Sequence, residues 1–379
     1  SMDIVALCKR QYMHKDLLDD RYGRFWEIPA ALAARGHTVR GFALSYQPKA
    51  EGPFRYGDSD GVQWESMNAG SVKPLGLWRY MRQVSAAISA APPDVILACS
   101  DSLYVIVGAW LQRRHGGVLI ADLYDNFEAY DAARLPMVRT LFRRALRGAD
   151  GVTVISERLK EKVCADSGTH HPVNVLVNGI PQGMFQPLDK KTCRRKWHIP
   201  EDALVMGCSG ILTRERGYEF LLEAYRALRL EMPGLQLALA GSRGPGVEVP
   251  QTDGIHDLGV LPQAELSQML ACLDLAVICN RRTAFSEYTF PQRMYETLAC
   301  GVPLLASNVG AAPDVLKGFE NCLYEAGDQD DFVKKARALL KNPEVPAVRV
   351  RTWPNLAAEL EQFIQHCVAQ KTQVTQDNR

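Results

Sequence analysis

Short apolar runs alternate along this chain with longer segments whose apolar residues recur at helical spacing. In the first half, the runs Ile4–Cys8, Val39–Ser45 and Val95–Ser100 predict strands, and Phe25–Arg35 predicts one of the helices between them. The same order begins again with the run Leu204–Gly210. Because strands that alternate with helices form parallel sheets covered on both faces, we expect an α/β fold of the doubly wound type.

The alternation is interrupted once, near residue 180, by a stretch rich in proline and charge. We therefore predict an N-terminal Rossmann-like domain at 1–180, a linker at 181–200, a C-terminal Rossmann-like domain at 201–350, and a C-terminal helix with a polar tail at 351–379. The helix of the last segment is expected at Leu356–Ala369. Two such domains that face each other form a cleft at the carboxyl ends of their strands, where doubly wound sheets bind ligands.

Composition narrows the classes of protein that this fold could represent. The 44 Lys and Arg against 43 Asp and Glu give a net charge of +1, which argues against a bulk nucleic-acid binder. The ten cysteines form no C-x-x-C pair and the histidines show no paired-ligand spacing, so we expect reduced thiols and no metal site built by the protein. No apolar run approaches the roughly 20 residues of a membrane span, and no basic leader precedes the first strand. We therefore expect a cytoplasmic protein.

The first segment with candidate chemistry runs from Gly210 to Gly217, between a predicted strand and a predicted helix. A glycine at the strand end lets a ligand approach the backbone, and the free amides of the following helix attract an anion. Arg214 and Arg216 add guanidinium groups suited to bidentate phosphate contacts. Taken alone, the segment fits a solvated polar turn equally well.

The second segment begins at Ser286 and places Pro291 where it can open a helix. Arg293 then falls in the first turn, and Glu296 about one turn further on. A glutamate at that position can accept hydrogen bonds from two ribose hydroxyls while the helix N-terminus faces a diphosphate. The alternative is an amphipathic helix whose glutamate is solvated.

The whole second segment resembles the donor-site signature of retaining glycosyltransferases of family 4, which have the GT-B fold. The match F-P-x-[KR]-x-x-E-x-x-A-x-G-x-P-x-x-A-S is carried by Phe290, Pro291, Arg293, Glu296, Ala299, Gly301, Pro303, Ala306 and Ser307. Shorter pieces of the family pattern agree in order, among them Arg35-Gly36-His37, Ala149-Asp150 and Asn178-Gly179. The resemblance therefore extends over nearly the whole chain.

Three positions depart from the family pattern. Ile211 stands where the family's loop has an arginine, and Arg216 stands where it has a lysine. The nearest acid before Glu296 is Glu287, nine residues away, whereas the family spaces its glutamate pair eight apart. The stretch 122–128 contains no histidine, although many relatives carry one near the cleft.

The resemblance implies a retaining, metal-independent transferase that moves a sugar from a nucleotide-diphosphate sugar to a hydroxyl of a glycan or lipid-linked acceptor. It implies no cofactor besides this co-substrate, and a place in cell-surface polysaccharide or glycoconjugate synthesis. The donor and nucleotide are expected at Gly210, Arg214, Arg216, Thr289, Phe290, Arg293 and Glu296. A sugar-nucleotide 2-epimerase of the same fold and a non-catalytic nucleotide-sugar-binding partner subunit remain as alternatives.

The acceptor is expected at the first domain. Asp125, Asn126 and Glu128 follow a buried strand at its carboxyl end, where a carboxylate could orient or deprotonate an acceptor hydroxyl. Asp125 and Asn126 are our catalytic candidates together with Glu287, although residues of these types also cap helices. The charged loop after the first strand adds acceptor-side candidates, namely Lys9, Arg10, Arg21 and Arg24, with Glu128 beside them.

One predicted helix carries an unusual number of cations. Arg139, Arg143, Arg144 and Arg147 are interleaved with apolar residues, a pattern that can lie on an anionic membrane surface. Peripheral contact with the inner face of the cytoplasmic membrane is therefore a hypothesis. A surface helix that packs its apolar side on the first domain is the simpler interpretation.

Overall fold

The computed structural model describes residues 1–12, 15–54, 61–125, 134–252, 254–284, 286–287 and 292–379. It divides into two compact units. The first comprises Ser1–Asn178 with Trp353–Arg379, and the second comprises Gly179–Thr352.

The first unit alternates strands and helices as the apolar pattern predicts. Its strands are β1 Asp3–Lys9, β2 Gln11–Tyr12, β3 Lys15–Asp16, β4 Thr38–Ser45, β5 Gly52–Phe54, β6 Val62–Asn68, β7 Val95–Ala98, β8 Val118–Leu123, β9 Gly151–Val154 and β10 Val173–Val175. Its helices up to residue 178 are α1 Arg24–Ala34, α2 Lys73–Ser89, α3 Ser102–His115, α4 Pro136–Gly148 and α5 Glu157–Ser167.

Eight of these described strands form one sheet in the order β10-β9-β8-β7-β1-β4-β6-β5. Each neighbouring pair is parallel except β5 with β6. The strands β7 and β8 are buried along their whole length, as continuous apolar runs in a parallel sheet require. Strands β2 and β3 form a separate small hairpin.

The second unit repeats this architecture on a smaller scale. Its strands are β11 Val205–Ser209, β12 Gln236–Ala240, β13 Ile255–Asp257, β14 Leu275–Ile278, β15 Leu304–Ser307 and β16 Leu323–Tyr324. Its helices are α6 Lys190–Lys196, α7 Tyr218–Glu231, α8 Gln263–Ala271, α9 Gln292–Ala299, α10 Ala312–Val315 and α11 Gln329–Lys341. In the described part of this unit, the six strands form a parallel sheet in the order β13-β12-β11-β14-β15-β16.

The segment 181–200, expected as a linker, contains α6 and is anchored in the second unit. Arg194 on this helix is almost fully buried, and its Nε donates to the carbonyl of Cys272 at 2.9 Å. Its Nη2 lies 2.8 Å from a carboxylate oxygen of Asp274, directly before β14. These long-range contacts give the segment a fixed place in the fold.

The last helix, α12 Trp353–Asp377, belongs to the first unit and is longer than expected at both ends. Leu356, Leu360, Phe363, Ile364 and Cys367 are buried along one side, at the spacing of a helix that packs on a core. The helix packs against α1 and β8, and Glu361 pairs with Arg35 at 2.6 Å. The polar end of the chain thus continues a docked helix as far as Asp377.

Both sheets contain a point at which the order of strands reverses. In the first unit, the chain runs from β1 to β4 on one side and later returns to β7 on the other side of β1. In the second unit, β11 is followed by β12 on one side and by β14 on the other. Crevices at the carboxyl ends of such strand pairs are where doubly wound sheets bind ligands.

Candidate functional site

A pocket lies at the reversal point of the second unit. It is lined by residues that end β11 and follow it, by residues that end β14, and by the start of α7. The polar contributors are Ser209, Arg216, Tyr218, Asn280 and Arg293. Gly210 and Ile211 form part of its wall.

Two glycines allow the backbone to pass close to this pocket. Gly210 has φ +124°, and the atom nearest to a Cβ placed on it would be Arg293 Nε at 3.7 Å. Gly217 has φ +76°, and a Cβ there would lie 1.9 Å from the carbonyl oxygen of Cys279. Any larger residue would therefore displace the start of α7 from the end of β14. The glycines keep a helix N-terminus, which favours anions, beside the pocket.

Arg293 and Glu296 form an ion pair on α9. Arg293 Nη1 donates to a carboxylate oxygen of Glu296 at 2.7 Å, and Glu296 is only 3% exposed. Burial raises the pKa of Glu296, while the charge and hydrogen bond of Arg293 lower it in part. Arg293 also reaches the pocket. The carboxylate of Glu296 is therefore paired with a cation that lines the pocket.

Arg214 and Arg216, the two arginines of the segment between β11 and α7, differ in their position relative to the pocket. Both are exposed, but only Arg216 is among the residues that line the pocket as described. The backbone N–H of Arg216 donates to Thr213 Oγ1 at 3.2 Å, and the N–H of Gly217 donates to the carbonyl of Arg214 at 2.9 Å. This tight turn carries Arg216 toward the pocket wall formed by Ile211.

Glu287 is engaged by a residue that the sequence patterns did not single out. Its two carboxylate oxygens accept hydrogen bonds from Arg282 Nη1 at 3.0 and 3.1 Å. Arg282 also donates to the side chain of Asn308 at 3.0 Å and lies 3.7 Å from Glu325. The one available signal in the sequence was the adjacent pair Arg281-Arg282, which follows β14 after two residues. Glu287 does not line the pocket among the described residues.

In the first unit, Arg24 is a buried structural residue. Its Nε and Nη2 donate to the two oxygens of Asp122, each at 2.7 Å, and Asp122 also accepts from Thr153 Oγ1. Its Nη1 donates to the carbonyl of Val177 at 3.0 Å and to Asn178. The structure therefore departs from the expected acceptor contact, because the guanidinium is buried and its donors are used within the fold.

Arg10 departs from expectation for the same reason. It is 1% exposed, and its Nε donates to both carboxylate oxygens of Asp16 at 2.9 and 3.0 Å. Further donors reach Ser66 and Asp19. Burial alone would raise the pKa of Asp16, but hydrogen bonds from the Asp19 backbone and from Arg10 lower it overall. Arg10 thus organises the loop after β1.

The other candidates of the first unit lie at or near the carboxyl edge of its sheet. Lys9 ends β1 and is partly exposed, Arg21 is exposed with φ +49°, and Asp125 is buried just after β8. Four candidates, Asn126, Glu128, Thr289 and Phe290, lie outside the described residues.

The candidate membrane helix α4 has an apolar buried side and a cationic exposed side. Phe142, Ala145 and Leu146 are buried, while Arg144 and Arg147 are exposed. Arg143 lies 3.6 Å from Asp166, and Arg147 Nε donates to the carbonyl of Ser167 at 2.9 Å. Two large apolar side chains of this helix, Met137 and Leu141, are also exposed.

Within the residue ranges that the structure describes, no three His, Cys, Asp or Glu side chains come together as a metal-binding group. No helix there combines the length and apolar character that crossing a membrane needs.

Comparison with solved structures places this fold in the GT-B class. Sucrose-phosphate synthase from Thermosynechococcus elongatus superposes with a TM-score of 0.70 at 18% identity, over 99% of this chain and 98% of that one. The catalytic domain of starch synthase IV from Arabidopsis thaliana gives 0.68 at 14% identity, over 97% and 99% of the two chains. At these identities the likeness shows the fold alone.

Sequence comparison finds a family match in each of the two units. Residues 24–179 match the family described as "Glycosyl transferase 4-like domain", and residues 203–342 match "Glycosyl transferases group 1". Both parts of the chain are thus similar to glycosyltransferase domains.

Two curated relatives are similar over large parts of the chain. A GDP-mannose-dependent alpha-(1-6)-phosphatidylinositol monomannoside mannosyltransferase of Mycolicibacterium smegmatis is 30% identical over 63% of this chain and 65% of its own length. A D-inositol 3-phosphate glycosyltransferase of Stackebrandtia nassauensis is 27% identical over 79% of this chain and 74% of its own length. The alignment thus spans just under two thirds of the first relative and three quarters of the second.

Proposed function

We propose that this protein is a retaining, metal-independent glycosyltransferase that uses a nucleotide-diphosphate sugar. The acceptor is a hydroxyl of a glycan or of a lipid-linked molecule, in cell-surface polysaccharide or glycoconjugate synthesis. The observation that carries the proposal is the pocket at the reversal point of the second unit, where Gly210, Arg216, Arg293 and the start of α7 converge. These features together suit a diphosphate.

The chemistry follows from the charge that sugar transfer creates. When the bond between sugar and diphosphate breaks, negative charge grows on the leaving diphosphate, and preorganised cations and amides stabilise that charge most. Arg216 and Arg293 supply two such cations, and the N-terminus of α7 adds a partial positive charge. This arrangement gives the protein its own means of balancing the diphosphate, which supports a reaction without a metal ion.

Glu296 is proposed to bind the ribose of the donor. Its carboxylate is buried and is oriented by Arg293 at 2.7 Å, so an incoming ribose meets a preorganised acceptor. The relatives named above are transferases, one of them GDP-mannose-dependent by its name, and they favour transfer over 2-epimerisation. No further cofactor is proposed.

The test is a donor screen on the wild-type protein. Thermal shift with UDP, GDP, ADP and their common sugar conjugates should show stabilisation by one nucleotide, and the matching sugar nucleotide should then yield a glycosylated product in the presence of EDTA. Proton NMR of the fresh product should show the anomeric configuration of the donor. Release of an epimerised sugar without transfer would contradict the proposal, and so would an absence of stabilisation by every nucleotide, which fits a non-catalytic subunit.

Peripheral contact with an anionic membrane is the second part of the proposal, and the helices α2, α3 and α4 support it. Helix α3 packs against both α2 and α4. Together these three described helices carry nine Lys and Arg residues and no carboxylate, although the whole chain has a net charge of only +1. The cations are Lys73, Arg79, Arg82, Arg113, Arg114, Arg139, Arg143, Arg144 and Arg147.

Exposed apolar side chains stand among these cations. Leu75 and Trp78 on α2 are 52% and 55% exposed, and Met137 on α4 is 73% exposed. Arg82 lies over the Trp78 ring at 5.3 Å. Basic residues mixed with tryptophan and aliphatic side chains are typical of surfaces that lie in the interface of an anionic bilayer. This surface supports the proposal that a cytoplasmic form of the protein contacts the inner face of the cytoplasmic membrane.

Reversal of charge on this surface should release the protein from vesicles. The variant Arg79→Glu/Arg82→Glu is expected to lower binding to phosphatidylglycerol-containing vesicles roughly tenfold or more, since each cation near the surface contributes about 1 kcal/mol. The control Arg226→Glu/Lys334→Glu makes the same change in net charge on exposed residues of the second unit and should bind normally. Co-sedimentation measures both. Equal binding by the first variant and wild type, or no binding by wild type, would contradict membrane contact.

A further inference from the structure

Two cysteines lie opposite each other at the ends of adjacent strands in the first unit. Strands β1 and β7 are parallel neighbours, and their register runs as far as Leu7 opposite Ala98. The backbone N–H of Cys99 donates to the carbonyl of Leu7 at 2.9 Å, so the ladder continues by one position and sets Cys99 opposite Cys8. Because opposite residues of a parallel pair share one face of the sheet, both thiols are on the same side.

The electrostatic surroundings of Cys99 agree with this placement. The register of β7 with β8 makes Asp122 the next residue along the same row. Burial raises the pKa of Cys99, and the nearby Asp122 and Cys8 raise it further. Arg24, the partner of Asp122, lowers this pKa in part. Cys99 therefore lies between Asp122 on one side and Cys8 on the other.

The spacing of neighbouring strands matches the reach of a disulfide. Strands in a sheet lie about 4.8 Å apart, and a disulfide joins residues whose Cα atoms are about 4.4–6.8 Å apart. The two Cβ atoms of a disulfide are closer together, at about 3.8 Å. Formation of the bond between these strand ends therefore needs a small shift of the backbone and no change of fold.

The hydrogen bonds that join β1 to β7 become irregular at this pair. The N–H of Lys9, the residue after Cys8, donates to a side chain, Ser100 Oγ, at 2.9 Å. Ser100, the residue after Cys99, has φ +82°, a region that favours glycine. Local opening of the two strand ends breaks few bonds and relieves this conformation, so it costs less than unfolding of the sheet.

Both thiols are protected while the strand ends are closed. Cys8 and Cys99 are 1% and 2% exposed, and burial raises the pKa of each thiol. A thiol reacts as its thiolate, which burial disfavours. Oxidation of the pair is therefore expected to proceed through the open state of the strand ends.

We propose that Cys8 and Cys99 are a site of reversible oxidation, at which an intramolecular disulfide joins the ends of β1 and β7. The oxidant is a small disulfide such as oxidised glutathione. The thiolate of one cysteine attacks it, breaks its S–S bond, releases one glutathione and leaves a mixed disulfide. The thiolate of the other cysteine attacks the protein sulfur of this mixed disulfide and releases the second glutathione. The two protein thiols lose two electrons and two protons, and oxidised glutathione takes these up to become two thiols.

The disulfide fixes the segments that follow the two strands. Lys9 comes directly after Cys8, and Asp101 follows Cys99 and Ser100. The charged groups of Lys9 and Asp101 lie 3.8 Å apart. Because the bond draws the strand ends together, it restricts and displaces these two side chains. That the bond also slows sugar transfer rests on the function proposed above.

Peptide mapping by mass spectrometry tests the site on the full chain after exposure to oxidised glutathione. Digestion without reductant should give a linked pair of peptides that contain Cys8 and Cys99, and dithiothreitol should remove the link. Cys8→Ala should lose the link, whereas Cys164→Ala, which replaces an exposed cysteine on α5, should keep it. Hydrogen exchange at residues 9–11 and 100–102 should be slower in the oxidised protein.

Sugar transfer is measured on the same samples. Oxidation should slow it about tenfold, within the range expected when a group is misplaced by about 1 Å, and dithiothreitol should restore it. Transfer by Cys8→Ala should not respond to the oxidant.

The outcomes separate the oxidation site from the proposed function. A wild type without the linked peptides overturns the proposal even if a variant fails to fold, and so does a link that forms only in denaturant that unfolds the whole chain. A link that leaves hydrogen exchange and transfer unchanged overturns its effect on the strand ends. If the link forms but the reduced protein transfers no sugar from any donor, the proposed function fails while the oxidation site stands.

Discussion

Replacement of Glu296 by alanine is expected to lower sugar transfer about 100-fold, the scale of losing one preorganised polar group from an active site. The carboxylate is buried on α9, where it is proposed to accept the ribose hydroxyls and where it holds Arg293 at 2.7 Å. Its removal therefore affects both the ribose contact and a cation of the pocket. Initial rates of transfer from the donor found by screening measure the effect.

The protein should remain folded in this variant, because the partner left behind, Arg293, has a side chain that is 30% exposed and can be hydrated. Arg216→Ala should likewise reduce transfer by well over tenfold, on the same scale of one lost charge contact. Glu223→Ala, on the exposed side of α7, is the matched control and should retain wild-type turnover. Wild-type turnover in Glu296→Ala or in Arg216→Ala would refute the site.

Replacement of Arg24 by alanine is expected to destabilise the first unit by about 3–5 kcal/mol, the usual result of leaving one partner of a buried ion pair alone. Both side chains are buried, at 5% and 3% exposure, and Asp122 would lose both hydrogen bonds at 2.7 Å. The links from Arg24 to Val177 and Asn178 would also be lost. Hydrogen exchange followed by mass spectrometry on peptides from β8 and α1 measures the loss within the first unit.

A second pair provides the control for this prediction. Arg35 and Glu361 lie 2.6 Å apart, but the arginine is 40% exposed. Arg35→Ala should change stability by at most about 1 kcal/mol, because exposed ion pairs contribute little. If Arg24→Ala unfolds no more readily than Arg35→Ala, the structural role assigned to Arg24 is contradicted. The earlier prediction that Arg24 contacts the acceptor must then be reconsidered.

The pocket of the second unit was the part of the candidate site most accessible to sequence reasoning. Gly210, Arg216 and Arg293 were expected to meet, and all three line one pocket. They lie in two short segments that each join a strand to a helix, and in a parallel sheet such junctions share one edge. Strand order explains why the two segments are neighbours, but the prediction that these residues share a site came from the family resemblance, and Arg214, which was predicted with them, does not line the pocket. The roles of these residues in binding a donor remain predictions.

The polar residues of the first unit were less accessible. Arg10 and Arg24 were predicted to contact the acceptor, but both are buried against carboxylates. Arg24 and Asp122 are separated by 98 positions in the chain, and no local pattern pairs them. Asp101 looks like an ordinary helix cap, and its neighbour Lys9 lies on a different strand.

For this chain, the order of apolar and polar residues was enough to predict two Rossmann-like units, and the comparisons confirm the GT-B fold. Periodicity is a local property, and each strand–helix repeat carries it independently. The partner of each charged side chain, the docking of α12 on the first unit and the anchoring of α6 in the second depend on contacts between distant segments. Whether a charge is buried or exposed is settled by those contacts, because desolvation depends on everything packed around the group.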